Sequence, residues 1–287
     1  QFTVSSVAPP PNPIDDQRQF VRQQYLDFLN REPDGPGWDF WTDNITKCSD
    51  PARLPAGQTE AQCTLRQRET TSGAFFLSPE FQYTGYYVLR VYRGALGRQP
   101  KLSEFLPDAQ FVGNGIVVNG QLSGAKINEN KAAFAAQFVN CADAARYRCA
   151  EFKAIYDGLN NQQYVDRLFV NTGASPSAAE RAGLVSGLDG GSETRASVLQ
   201  KVVDGINVIS EGNQQFTTTY GQAFYNSEFN RAFVQLEYFG YMKRDPDEGG
   251  YAFWLGKLNQ FGGNFVNSEM VLAFILSPEY RSRFGQP

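Results

Sequence analysis

The chain has no histidine, two methionines, four cysteines and three tryptophans among 287 residues. Without histidine, serine–histidine and cysteine–histidine catalysis are excluded, as is any histidine-ligated metal. A cysteine-only zinc site is disfavoured because no CxxC pair occurs. Positive charge is not in surplus: 26 basic against 30 acidic residues give a net −4. That argues against nucleic acid as the main partner, since phosphate binding needs clustered cations. No long hydrophobic run occurs either; Met270–Leu276 is the longest, far short of the ~20 residues a membrane span needs. What is abundant is aromatic: 23 phenylalanines and 14 tyrosines. With 41% hydrophobic residues the chain is a folded one, long enough for about two domains.

One stretch organises the sequence. FVRQQYLDFLNREPDGPGWDFW at 20–41 returns as FVQLEYFGYMKRDPDEGGYAFW at 233–254, at a constant offset of 213. A second phrase follows each copy: AFFLSPEF at 74–81 and AFILSPEY at 273–280, offset 199. The first copy therefore carries fourteen extra residues between its phrases. Val21, Tyr25, Phe28 and Leu29 lie on one helical face, repeated by Val234, Tyr238, Tyr241 and Met242. Pro33 and Pro246 end that helix. Asp34 and Asp247 then stand where N-caps are wanted, and Ser78-Pro79-Glu80 predicts another capped helix start.

Two weaker copies lie between. Tyr87-Val88, Tyr92, Leu96, Arg98 and Pro100 keep the spacing of the first phrase. Tyr164, Val165, Phe169 and Pro176 keep it one residue short, with Ala174-Ser175 where arginine would stand. The expected fold is mainly α: a repeat-built helical bundle with a small β-hairpin and an extended N-terminal arm. The expected division is an arm at 1–17, two units with an inserted loop and hairpin at 18–150, and two more at 151–287. Further helices are predicted near 129–139, from Ser175-Pro176 over 178–188, and over 193–209, and Asn226-Ser227-Glu228-Phe229 echoes the SPEF phrase.

The phrases resemble a family of repeats in bacterial secreted and surface proteins, of unknown function, with the signature YxxxLxRxPDxxGxxFW followed by FLxSPEF. The linker domains of phycobilisomes are a more distant resemblance, by helical layout only. The resemblance implies a helical module on an exported protein, used for structure or attachment, and transfers no catalytic residue.

Cysteine placement points to the same compartment. Cys48 and Cys63 flank the inserted loop, and Cys141 and Cys149 lie eight apart. Four cysteines allow three pairings, of which the local one, Cys48–Cys63 with Cys141–Cys149, is the most economical; four buried thiols are the alternative. A chain beginning at Gln1 is expected to be a processed form whose targeting signal is gone. Asn44-Ile45-Thr46 fits the N-glycosylation acceptor pattern, making Asn44 a candidate for modification.

Contacts between molecules are expected at two places. Phe2, Val4 and Val7 form a β-like segment ahead of Pro9, Pro10, Pro11 and Pro13, so the arm can lie on a neighbour or add a strand to it. Ile116, Val117 and Val118, between Asn114-Gly115 and Asn119-Gly120, predict a hairpin whose apolar edge invites strand addition. A carboxylate pair for glycoside cleavage finds only Glu80 and Glu279, both explained as helix-start residues. Asp189-Gly190-Gly191 is one short turn and not a calcium repeat. Tyr83, Tyr86, Tyr87 and Tyr92 read as packing before they read as a sugar platform.

The sequence thus favours a non-enzymatic structural subunit of an extracellular filament, tube or surface layer, self-assembling through its N-terminal arm, with copies of itself as partners and no cofactor. The alternative is a secreted carbohydrate- or surface-binding adhesion module, with cell-surface glycans as partners.

Overall fold

In the computed structural model the described residues are 11–141, 147–210 and 213–285. They are mainly helical. In chain order the elements are α1 (Gln17–Gln24), α2 (Gly35–Thr46), α3 (Glu60–Leu77), α4 (Pro79–Tyr83), α5 (Gly85–Leu96) and α6 (Leu102–Gly113). The hairpin β1 (Val117–Val118) and β2 (Gln121–Leu122) follows, then α7 (Gly124–Asn140), α8 (Tyr147–Tyr156), α9 (Asn161–Thr172), α10 (Ala178–Asp189) and α11 (Arg195–Val203). A second hairpin, β3 (Ile206–Ser210) and β4 (Asn213–Phe216), leads to α12 (Thr219–Glu237), α13 (Glu248–Gln260), α14 (Met270–Leu276) and α15 (Pro278–Arg281). Among the described residues no helix is long and apolar enough to cross a membrane.

The chain forms two compact units: residues 1–76 with 234–287, here the N/C unit, and residues 77–233, the middle unit. This division brings the two strong copies of the phrase together and leaves the two weak copies to the middle unit. Sequence spacing cannot show which copies pair, because that is decided by contacts over 200 residues apart.

In the N/C unit, α1 and α12 each end in a five-residue π turn, Tyr25–Leu29 and Tyr238–Met242. Both turns stop at a residue in the left-handed region, Asn30 (φ 53°) and Lys243 (φ 53°). The turns pack on each other through equivalent positions: the rings of Phe28 and Tyr241 meet edge to face at 5.3 Å. Gly240 permits the approach, since a Cβ there would lie 2.9 Å from the Phe28 ring. Gln24 is buried beside this contact. Its Oε1 accepts from the Ser72 hydroxyl at 2.9 Å and the Tyr241 hydroxyl at 3.3 Å. Asp27, also buried, accepts from Arg283 and Lys243 at 2.9 and 2.8 Å.

The root of the arm is fastened to this unit. Pro13–Asp15 is one 3-10 turn capped by Asn12, and Ile14 is buried. Arg68 donates to the Ile14 carbonyl at 2.8 Å, Arg281 pairs with Asp15 at 2.7 Å, and Asn12 donates to the Arg281 carbonyl at 3.0 Å. Phe2, Val4 and Val7 lie outside the described residues.

The inserted loop is closed by a disulfide between Cys48 and Cys63, both buried. A second disulfide joins Cys141 and Cys149. Replacing Cys48 and Cys63 by serine is expected to lower the free energy of unfolding by about 3 kcal/mol, the chain-entropy value for a ~15-residue loop. Urea unfolding of the double variant beside wild type measures it, and an unmoved midpoint contradicts it.

In the middle unit α5 is buried on nearly every side, as GYYVLRVYRGAL, apolar or aromatic around most of its circumference, requires. Helices α4, α6, α8, α9 and α11 surround it, and α7 meets it where the Tyr87 hydroxyl donates to the Lys131 carbonyl at 3.0 Å. Gly94 lets α11 come close, because a Cβ would meet Val203 at 2.3 Å. Tyr83, Tyr86, Tyr87 and Tyr92 are all buried, so they are packing residues and not an exposed platform. The first hairpin turns at Asn119-Gly120, both with positive φ, as such a two-residue turn demands.

Two local expectations are corrected. The helix predicted over 193–209 stops at Val203. Asp204 there is drawn into a buried cluster, Gly205 takes φ 57°, and Ile206, Asn207 and Val208 of β3 pair with Phe216, Gln215 and Gln214 of β4. The helix predicted from Ser175-Pro176 begins at Ala178, because Ser177 and Glu180 form the capping box. The stretch that echoes SPEF, Asn226–Phe229, lies inside α12, where no proline follows Ser227 to set a first turn.

Candidate interaction surface

The two strong phrases build the same object twice, both within the N/C unit. Asp34 accepts from the Gly37 amide at 2.8 Å, and Asp247 from Gly250 at 2.8 Å. That backbone hydrogen bond holds the Asp247 carboxyl below the usual carboxylate range. Arg31 lies over the Tyr25 ring (5.0 Å) and reaches Asp34 (3.6 Å); Arg244 lies over Tyr238 (5.1 Å) and reaches Asp247 (3.6 Å). The glycine of the phrase is steric: a Cβ at Gly37 would stand 2.3 Å from the Tyr25 hydroxyl, and one at Gly250 2.3 Å from that of Tyr238. Each phrase residue thereby fixes how α2 or α13 leaves the turn.

The fixed helices carry an aromatic ladder. Tyr25 packs on Phe75 at 4.8 Å and Trp41 on Phe75 at 5.7 Å; Tyr238 packs on Phe274 at 5.0 Å and Trp254 on Phe274 at 5.6 Å. Phe40 and Phe253 stand edge-on to Trp41 and Trp254, each at 5.0 Å. These last rings point outward, and each is 60% exposed. A helix that buries one residue, Ile45 in α2 or Leu258 in α13, and exposes a phenylalanine has an apolar side left open. Nothing in the phrase itself separates an inward from an outward ring.

Other expected site residues are placed as follows. Ile116 is 1% exposed and belongs to the core, so it offers no edge to a neighbour; Val117 is half-buried and Val118 is 54% exposed. The hairpin has only two residues per strand, which puts Ile116 under it and not on it. Asn44 is half-buried in the last turn of α2, and its Oδ1 accepts from Lys47 Nζ at 3.3 Å. Glu279 pairs with Arg244 at 2.7 Å, and Glu80 stands in the first turn of α4 in the middle unit.

In the middle unit the weak second copy uses its arginine otherwise. Arg98 lies over Tyr92 at 5.5 Å and pairs with Glu104 at 2.8 Å. Glu104 also accepts from the Lys101 amide at 2.7 Å, so it caps α6 in place of the missing aspartate. Beneath lies a charged cluster that sequence reasoning missed. Asp204 accepts from Arg90 at 3.2 Å and from Lys131 at 2.9 Å, with both cations wholly buried.

Residues 210–284 match the model of a domain of unknown function, DUF4214. That stretch contains the second strong copy of the phrase, 233–254, and its SPEY partner. No curated protein and no solved structure matches the chain.

Proposed function

We propose that the protein is a non-enzymatic structural subunit of an extracellular assembly, joined to copies of itself through its N-terminal arm. The observation that carries this reading is the pair of outward rings, Phe40 and Phe253, presented at equivalent positions by equivalent frameworks. One apolar knob allows a closed pair; two on one subunit allow each copy to engage two others, which propagates an open polymer. Residues 1–10, with Phe2, Val4 and Val7, leave from a root held by Arg68 and Arg281, and they are the segment assigned to the neighbour's apolar surface. Two disulfides support an oxidising location.

The test is light scattering of wild type, of a chain lacking residues 1–10, and of Phe40→Ser/Phe253→Ser. Wild type is expected to grow into large species with concentration. Both variants are expected to stay monomeric, with thermal midpoints within about 2 °C of wild type, since surface changes cost within ±0.5 kcal/mol. Undiminished assembly by the truncated chain removes the arm as connector, and undiminished assembly by the double variant removes the rings.

A further inference from the structure

The middle unit holds a cleft of about 550 Å³ between α10, α11, the base of the second hairpin and the start of α12. That volume falls within the about 300–1,000 Å³ of small-molecule sites. We propose that this cleft binds a neutral polyhydroxylated ligand, one or two sugar rings in size.

The class follows from the charges and from the kinds of donor and acceptor on the walls. Among the charged residues of the lining, Glu193 is tied to Lys201 and to the Ser197 hydroxyl (2.6 Å). Asp204 turns its carboxylate to Arg90 and Lys131 beneath the wall. Only Glu180, which caps α10 by accepting from the Ser177 amide at 2.8 Å, leaves a charge of one sign over the cleft. Among the described residues, an anionic ligand such as a phosphate or a carboxylate therefore meets the uncompensated Glu180 carboxylate, and the one lining cation, Lys201, is already paired with Glu193.

The rest of the lining is neutral and two-sided. The Gln200 amide and the Thr217 hydroxyl can each both give and accept hydrogen bonds, while the Thr218 hydroxyl already accepts from the Gly221 amide at 3.1 Å. An amine needs acceptors only; a ring of hydroxyls needs groups of this kind, at several points at once. Leu184, Ile206 and the Tyr220 ring supply apolar surface for the C–H face of such a ring. Tyr220 is buried and braced by Phe169, edge to face at 5.1 Å, so that surface is fixed before any ligand arrives.

Gly183 gives the experiment. It lines the cleft from α10, and a Cβ there would meet no atom within 4 Å. Leucine fits the backbone, is a better helix former than glycine, and fills the cleft. The full chain and Gly183→Leu are titrated calorimetrically, and by saturation-transfer NMR, with free glucose, galactose, N-acetylglucosamine, cellobiose and lactose. Glucuronate and putrescine serve as the anionic and cationic arms. At least one neutral sugar is expected to saturate the wild type with a Kd of about 10 mM or tighter. Gly183→Leu is expected to weaken it at least tenfold, with a thermal midpoint equal to or above wild type. Gln200→Ala is expected to weaken it several-fold without emptying the site. Putrescine binding without any sugar overturns the ligand class, as does preferred binding of glucuronate. Silence across the sugars, or sugar binding that survives Gly183→Leu, overturns the site. None of these outcomes bears on the arm or on Phe40 and Phe253, so this inference and the assembly reading fail separately.

Discussion

Asp204→Ala is expected to destabilise the protein by about 3–5 kcal/mol, the cost of breaking a buried ion pair by removing one partner. The reason is arithmetic. Arg90 and Lys131 are both wholly buried, and Asp204 is the carboxylate that bonds to both. Arg90 keeps some compensation after the change, through the carbonyls of Val203 and Asp204 at 3.1 and 3.2 Å. Lys131 keeps less. Burial already pushes its ammonium below the usual lysine range, with Asp204 opposing that pull. At about 2–4 °C per kcal/mol for a unit of this size, the midpoint should fall by about 6–20 °C. Calorimetry reads it directly. A fall under 1 kcal/mol means that water reaches the two cations and that the cluster is not the closed one described above.

Glu237→Leu is expected to act in the opposite direction and stabilise the protein at neutral pH. Glu237 is wholly buried and neither carboxyl oxygen has a hydrogen-bond partner. The repeat explains why. Glu237 stands where Gln24 stands in the first copy, offset 213. Gln24 is served by the hydroxyls of Ser72 and Tyr241. The residues equivalent to those two are Val271 and Phe28, which carry no hydroxyl. Burial therefore drives the Glu237 carboxyl well above its ordinary range, so the folded chain holds a proton that the unfolded chain releases. As pH rises past the unfolded carboxyl's pKa of about 4.3, this group costs about 1.4 kcal/mol of stability per pH unit, until the folded carboxyl also ionises. The other two copies show the remedy, with buried Val91 and Leu168 at the equivalent place. The gain from leucine should be smallest near pH 4 and grow toward pH 7. Urea unfolding at several pH values measures it, and a gain that is flat with pH contradicts the assignment.

Much of the local structure was legible because short-range chemistry decides it. Pro33, Asp34 and Gly37 specify a helix stop, a cap and a close approach within five residues, and they do so again at Pro246, Asp247 and Gly250. Asn119-Gly120 specifies its turn, and a fifteen-residue spacing favoured Cys48–Cys63. What was not legible rests on long-range contact. Nothing local says that the first and fourth copies share a unit while the second and third make another. A charged residue reads as a surface one until its partners are known, which hid Asp204 and with it the true end of α11. The outward rings of Phe40 and Phe253 were hidden for the same reason, since an aromatic phrase shows where rings are and not which way they face.

On the reading proposed above, repeated aromatic frameworks hold a subunit whose arm and outward rings join it to others. Negative-stain imaging of the full chain at high concentration, beside the chain lacking residues 1–10, tests it most directly. Extended polymers of regular width from the full chain, and single particles from the shortened one, are the predicted result. Single particles from both, at the highest concentration reached, contradict it.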